Sequence, residues 1–336
     1  MQPLAGAEPI GNIEGMSSNQ PGPAPAAAPE GASPEEFAHL ENGLQICYQT
    51  FGDPSGDPLM LVMGLGGPMT WWSPDLCRRL ADAGFFVIRF DNRDVGRSSR
   101  VRARVSRKRL VQAFFGRGPR PPYTLDDMAG DAFGLLDHLG IDAAHVVGVS
   151  MGGMIAQTMA LLRPERVRSL TSMSSTTGRR TVGWQDPRLL PLMLARSAQT
   201  RERYVASSGR VWKMIGSPGY PESREAADQR AAETFDRGVS AAGAARQILA
   251  ILNQPDRSRQ LRTLPMPALV IHGMNDKMVH TSGGRATSHA IPGSELLLVP
   301  GMGHDIPAEL QPTFVEAIRR TADRARCVGA AGVVRS

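Results

Sequence analysis

One stretch decides the fold of this chain: residues 145–154, which read HVVGVSMGGM. Its first half is apolar and β-branched, which predicts a short buried strand, and the apolar pattern from Met154 to Leu162 has the spacing of a helix. Between the two, G-x-S-x-G occupies residues 148–152 and centres on Ser150. A serine on such a sharp strand-to-helix turn is typical of a nucleophile elbow, where a strained backbone holds the hydroxyl clear of the sheet. A glycine-rich turn without chemistry is the alternative.

Short apolar strands alternate with helices along the rest of the chain. Strands are predicted at residues 37–40 and 44–48, which form a hairpin, and at 59–63, 85–90, 145–149, 167–174, 268–273 and 295–299. Helices are predicted at residues 69–84, 125–139, 154–162 and 307–325. This alternation predicts an α/β fold with a mainly parallel central sheet and helices on both faces.

The strand pattern is interrupted once and ends before both termini. Residues 178–259 are helical, charged and punctuated by proline, which predicts a helical cap inserted into an α/β core made of residues 37–177 and 260–325. Residues 1–36 are rich in Pro, Ala and Gly and predict a disordered N-terminal arm. Residues 326–336 predict a short frayed tail.

Composition excludes several classes of protein. The chain has 336 residues, 41% of them hydrophobic, but no apolar run long enough to span a bilayer and no secretory signal pattern at its N-terminus. Its three cysteines, Cys47, Cys77 and Cys327, are odd in number and lack a metal-type spacing. We therefore expect a cytoplasmic protein without a disulfide framework.

The basic charge of the chain has two features. The net charge is +6, and only three of the 38 basic residues are lysine. Because no helix-turn-helix, zinc-finger or RNA-binding signature accompanies this charge, no nucleic-acid partner is expected.

Residues 97–120 contain many basic side chains, which are followed by an apolar run that ends with Phe114 and Phe115. Such a segment is either a solvated face or a basic amphipathic element in weak contact with a membrane surface. The oligomeric state stays open.

A serine nucleophile needs a base and an acid from neighbouring loops. His304 and Asp276 each stand in a loop directly after a predicted strand. Because such loops meet at one edge of a parallel sheet, we expect Asp276 to orient His304 and His304 to activate Ser150. Asp305 cannot easily reach the ring of the preceding histidine around its own backbone. A third position, after the strand at 167–174, offers no acid because residues 175–177 are Ser, Thr and Thr.

Two backbone N–H groups are the expected donors to the oxyanion. Met151, directly after the serine, supplies one, and the loop after the strand at 59–63 supplies the other through Leu65. Glycines on both sides of Leu65 would let this backbone approach a substrate closely. The alternative for this loop is a plain glycine turn.

Motifs for cofactors and metals are missing from the sequence. The loop at residues 64–69 begins as G-x-G, but Met69 stands where a dinucleotide-binding loop has its third glycine. Neither the G-K-[ST] of a phosphate-binding loop nor the H-E-x-x-H of a zinc site occurs. We therefore expect no cofactor and no metal.

Six segments together resemble the α/β-hydrolase family. They are VMGLGG at residues 62–67, DNRDVGRS at 91–98, YTLDDMA at 123–129, GVSMGG at 148–153, and the loops that carry Asp276 and His304. The resemblance covers about residues 37–325 and is nearest to the serine esterase and lipase branch that contains aclacinomycin methylesterase and its actinobacterial lipase and esterase relatives. It implies that Asp91 and Arg93 buttress the site and do not react.

The resemblance implies a serine carboxylester hydrolase that forms an acyl-serine intermediate with a small-molecule ester. Ser150, Asp276 and His304 would be its catalytic residues, and Leu65 and Met151 its oxyanion hole. A cofactor-free haloperoxidase or perhydrolase, a thioesterase, a phospholipase or a C–C bond hydrolase with the same triad is the alternative. Epoxide hydrolases and haloalkane dehalogenases share the fold but use an aspartate at the elbow, which Ser150 excludes. A non-catalytic binding protein would usually have lost one of the three catalytic residues.

Overall fold

The structure is a computed structural model. It describes residues 28–118, 120–189 and 200–333, and their side chains up to residue 326. Residues 1–27 of the predicted arm and the last three residues of the predicted tail lie outside these ranges.

Across the described ranges, eight strands form one sheet. They are β1 (Glu36–His39), β2 (Gln45–Phe51), β3 (Asp57–Val62), β4 (Phe85–Phe90), β5 (Ala144–Val149), β6 (Val167–Met173), β7 (Ala268–Gly273) and β8 (Glu295–Val299). The order in the sheet is β1-β2-β4-β3-β5-β6-β7-β8. The hairpin β1–β2 and the pair β2–β4 are antiparallel, whereas every other pair is parallel. The predicted α/β fold with a mainly parallel sheet is thus confirmed.

Helices lie between the strands. They are α1 (Pro74–Asp82), α2 (Arg107–Phe114), α3 (Leu125–His138), α4 (Met151–Leu162), α5 (Arg201–Ile215), α6 (Arg224–Gly238), α7 (Ala241–Leu252), α8 (Ser282–Ala290) and α9 (Gln311–Val333). Between β6 and β7, in the predicted cap, the described chain carries α5, α6 and α7 and no strand. None of the described helices is both long and apolar enough to cross a membrane.

The sheet buries both of its faces. Along β3, Met60 and Val62 pack with residues of α3 and α4, and Leu59 and Leu61 pack on the other face with residues of α1 and α9. Successive side chains of a strand point to opposite faces, so a strand covered on both sides is apolar throughout. This explains why the central strands read as continuous apolar runs.

Part of the predicted N-terminal arm is bound to the domain. The backbone N–H of Ser33 donates to the carbonyl oxygen of Thr50 at 2.8 Å, which extends the contacts of β2. Glu35 forms ion pairs with Arg97 and Arg237. The arm boundary predicted at residue 36 is therefore too late, because two distant arginines that no local pattern reveals bind this segment.

Two predicted helices have other bounds. The helix predicted at 69–84 is divided into a 3-10 turn, Met69–Trp71, and α1. The side chain of Ser73 caps α1 and a proline follows it, so the helix begins anew at that point. The last helix does not end at Ala325 but continues to Val333, into the predicted tail.

Candidate active site

Ser150 lies on the turn between β5 and α4. Its backbone has φ +57° and ψ −120°, a conformation that strains any residue with a side chain. The turn is too tight for other side chains. A Cβ at Gly148 would lie 2.1 Å from the carbonyl oxygen of Gly152, and a Cβ at Gly152 would lie 2.0 Å from that of Val62. The two glycines are therefore a packing requirement of the turn, which holds the serine at the carboxyl edge of the sheet.

Ser150, His304 and Asp276 lie in one hydrogen-bonded row. Nε2 of His304 is 3.0 Å from Oγ of Ser150, and its Nδ1 is 2.7 Å from Oδ2 of Asp276. The side chain of Asp276 is fully buried, and that of His304 nearly so. The parallel order of β5, β6, β7 and β8 brings these loops together. In this geometry the serine hydroxyl can donate to Nε2 while Nδ1–H donates to the carboxylate.

The second oxygen of Asp276 fixes the carboxylate. Its Oδ1 accepts the backbone N–H groups of Met278 and Val279, both at 2.8 Å. His272, also buried, donates from Nε2 to the carbonyl oxygen of Val279 at 2.8 Å. Burial lowers the pKa of His272 and keeps its ring neutral, so it does not compete as a cation for the Asp276 carboxylate 3.5 Å away.

The predicted oxyanion donors lie on two adjacent segments. Met151 is the first residue of α4, and the N–H of a first helical residue has no partner within its own helix. Leu65 follows Gly64, where an added Cβ would come within 3.2 Å of the Cβ of Ser150. This loop reaches the serine because β3 pairs directly with β5.

Gln247, on the cap helix α7, holds the loop after β3 that carries Leu65, which is the predicted oxyanion loop. Its Oε1 accepts the backbone N–H of Gly66 at 2.9 Å, and its Nε2 donates to the carbonyl oxygen of Arg93 at 3.0 Å. The side chain is completely buried. A single glutamine on a helix carries no motif, so sequence reasoning missed this residue. The cap therefore supports the loop that carries Leu65.

The cap also holds the loop of the histidine. The backbone N–H of His304 donates to the carbonyl oxygen of Ile215 at 2.7 Å, and that of Gly303 donates to Oγ of Ser217 at 2.8 Å. The hydroxyl of Ser217 in turn donates to the carboxylate of Asp305. Burial raises the pKa of Asp305. Asp305 is thus bonded to the cap, in agreement with its exclusion from the triad.

Two arginines of the cap reach into the core. Arg237, at the end of α6, bonds Asp91 at 2.7 Å and also Glu35. Arg246, on α7, bonds both oxygens of Asp94 at 2.6 and 2.8 Å. The side chains of both aspartates are fully buried. The loop at residues 91–98 is therefore where the cap is anchored, a role that its sequence did not disclose.

A cavity of about 1180 Å³ lies between the cap and the catalytic edge. Ser150 and His304 form part of its wall. Six aromatic side chains also line it: Phe114, Trp71, Trp184, Tyr204, Trp212 and Tyr220. Within the described residues, no group of three or more His, Cys, Asp or Glu side chains is placed to hold a metal ion.

Comparisons with known proteins find chains similar to this one. A family model described as the α/β hydrolase fold matches residues 57–309. Rhodomycin D methylesterase DauP from Streptomyces sp. (strain C5) is 31% identical over 82% of this chain and 94% of its own length. A Mycobacterium tuberculosis protein provisionally named non-heme bromoperoxidase BpoC is 27% identical over 78% of this chain and 91% of its own. The solved enol-lactonase from Burkholderia xenovorans LB400 covers 84% of this chain and 98% of its own, with a TM-score of 0.66 and 23% identity.

Proposed function

This chain belongs to the α/β-hydrolase fold family and is a carboxylic ester hydrolase, and from that premise we propose that it cleaves small-molecule esters through an acyl-serine intermediate on Ser150. One observation carries the proposal. It is the unbroken row of hydrogen bonds from Ser150 through His304 to Asp276, with lengths of 3.0 and 2.7 Å. This row supplies the base that a serine hydroxyl needs in order to attack a carbonyl carbon.

The reaction proceeds in two halves. Oγ of Ser150 attacks the ester carbonyl while Nε2 of His304 takes its proton, and the protonated ring then gives that proton to the leaving alcohol. Water then attacks the acyl-serine while Nε2 of His304 takes its proton. The protonated ring gives that proton to Oγ of Ser150 as the carboxylic acid leaves. Asp276 keeps the proton of the neutral ring on Nδ1 and stabilises the charged ring. The N–H groups of Met151 and Leu65 bind the oxyanion in both halves, and each donor contributes about 3 kcal/mol.

The size of the cavity supports a bulky substrate. Its volume of about 1180 Å³ exceeds the usual range of about 300–1,000 Å³ for a ligand pocket. Its aromatic wall favours an apolar acyl or ring system. Because the 31% identical relative is named a methylesterase, methyl esters with large acyl groups are the first substrates to test.

Labelling with a fluorophosphonate tests the mechanism. Wild-type protein should be labelled on Ser150, and Ser150→Ala should lose both the label and the hydrolysis of p-nitrophenyl and methyl esters. Ser207→Ala is the matched control, since Ser207 lies on the same cavity wall and its hydroxyl donates to the carbonyl oxygen of Tyr204. Folded wild-type protein that takes no label would contradict the proposal. Assays with thioesters, phospholipids and peroxide plus halide on the same preparations separate the alternative activities.

A further inference from the structure

The segment between Asp94 and Asp126 has an extreme charge. It contains nine Arg and Lys residues and no Asp or Glu. Seven of the nine basic side chains are exposed. Among the described residues, none of these seven lies within ion-pair distance of a carboxylate. The net charge of this segment, +9, therefore exceeds that of the whole chain, which is +6.

Helix α2, within this segment, directs apolar side chains to solvent. Val111, Phe114 and Phe115 are 55%, 62% and 69% exposed, and they follow one another at the spacing that places them on one side of a helix. Arg107 and Lys108 lie one turn before them on the same side and are also exposed. The outer side of α2 is therefore amphipathic along its length, with cations at its start and aromatic rings at its end.

This arrangement is unfavourable for a helix that only faces water. The first turn of α2 carries cations and no acid, next to the positive end of the helix dipole. Two phenylalanines exposed side by side lose the burial that usually stabilises them. Features that are unfavourable in the free protein are expected where a surface is used for binding.

The apolar end of α2 borders the cavity. Phe114 is more than half exposed and also lines the cavity wall, so it lies at the rim. Trp184 is 52% exposed and lines the same cavity. Arg179 and Arg180, both exposed, belong to this wall as well. Arg180 donates to the carbonyl oxygens of Phe114 and Ala113, which holds the end of α2 at the rim.

We propose that the outer side of α2 docks on an anionic lipid surface and thereby places the rim of the cavity against the bilayer. A bilayer with acidic headgroups matches both features of this surface. Its negative headgroups attract the cations, and the region where the acyl chains begin accepts Val111, Phe114 and Phe115. A soluble polyanion would match only the cations. Apolar esters dissolved in the bilayer would enter the cavity without crossing water. This last point rests on the proposed function, whereas the docking itself does not.

Co-sedimentation with vesicles tests the docking. Full-length protein should bind vesicles of phosphatidylcholine with phosphatidylglycerol, should bind pure phosphatidylcholine far less, and should be released by salt. Arg107→Gln with Lys108→Gln should weaken binding about 25-fold, since each cation near an anionic bilayer contributes about fivefold. The matched control is Arg259→Gln with Arg262→Gln, which removes two exposed cations elsewhere and should bind like wild type.

A second pair of variants separates lipid from other polyanions. Val111→Ser with Phe115→Ser should weaken vesicle binding about tenfold, because two apolar side chains no longer enter the interface, and should leave binding to heparin unchanged. Leu162→Ser, at a site 50% exposed elsewhere, is its control. Neither Val111 nor Phe115 lines the cavity, so hydrolysis of a soluble ester should be unchanged and reports on folding. Wild-type protein that binds heparin but not vesicles, or vesicle binding that both pairs leave intact, would overturn the proposal.

Discussion

The catalytic edge of the sheet and the cap are held together by different means. At the edge, Ser150, Asp276 and His304 each stand in a short loop after its own strand, and the pairing of parallel strands brings them together. The described residues of the cap contribute no strand to the sheet. It is fixed by long side chains, chiefly Arg237 and Arg246, which reach buried carboxylates in the core.

Because of this difference, the edge of the sheet determines the reaction, and the cap determines which substrate fits. The catalytic candidates at the edge stand on loops of paired strands, so the sheet determines where they lie. The cap supplies much of the cavity wall, and its contacts with the edge include Gln247 on the loop that carries Leu65, and Ile215 and Ser217 on the loop that carries His304. Breaking one contact of each kind should therefore change different properties of the protein.

The largest effect is expected from Asp276→Asn. The amide oxygen can still accept from the N–H groups of Met278 and Val279, so the loop should keep its shape. The amide nitrogen would face Nδ1 of His304 and favour the wrong tautomer, so kcat should fall about 10⁴-fold. Steady-state kinetics on a soluble ester measure this. Asp305→Asn is the control, because its carboxylate bonds Ser217 and not the ring. Equal losses of kcat in the two variants would mean that Asp276 is not the acid that orients His304.

The next largest effect concerns the anchoring of the cap. Arg237→Met leaves the buried Asp91 without its cation and leaves Glu35 with Arg97 alone, so the free energy of unfolding should fall by about 3–5 kcal/mol. Urea unfolding measures the loss. Arg201→Met removes an arginine whose pair with Asp236 is half exposed, and it should cost much less because solvent screens such a pair. If the two variants were equally stable, the buried pair would not anchor the cap.

A smaller effect is expected where the cap meets the oxyanion loop. Gln247→Leu removes the acceptor for the N–H of Gly66 and should let Leu65 drift from the oxyanion, which lowers kcat about tenfold with little change in KM. Gln157→Leu is the matched control, since Gln157 is an equally buried glutamine that bonds Ser172 and does not contact this loop. It should lower stability but not kcat. Identical kinetics in both variants would show that Gln247 does not position the loop.

The residues at the catalytic edge could be predicted from the sequence because the patterns that mark them are local. The elbow at Ser150 is a fixed spacing of glycines around a serine, and the other two catalytic candidates each follow an apolar run that predicts a strand. The strand order then needs only the rules of parallel sheets. Arg237 and Gln247 could not be found in this way. Each acts on residues more than a hundred positions away, and an arginine or glutamine on a helix looks like any solvated residue until the packing is known.

The smallest effect is a loss of cap stability in acid. Burial alone would raise the pKa of Glu35 and of Asp94. The pKa of Glu35 is nevertheless lowered by its two partner arginines, and that of Asp94 is lowered by Arg246 together with hydrogen bonds from Tyr123 and the backbone N–H of Val101. A carboxyl with a lowered pKa in the folded state contributes stability above its ordinary value, 4.5 for Glu and 3.8 for Asp, and loses it as the pH falls through the lowered value. Asp305, with a raised pKa, opposes this trend.

The pH dependence of urea unfolding in wild type and Arg237→Met measures how much Arg237 contributes to this loss of stability. Wild-type stability should decline below pH 4.5, and the decline should be shallower in the variant because one of the two cations that lower the pKa of Glu35 is gone and only Arg97 remains. Arg201→Met should keep the wild-type slope, since Arg201 contacts neither carboxylate. Parallel acid slopes in wild type and Arg237→Met would mean that the cap is held in acid by contacts other than this pair, with Arg246 and Asp94 the next to be tested.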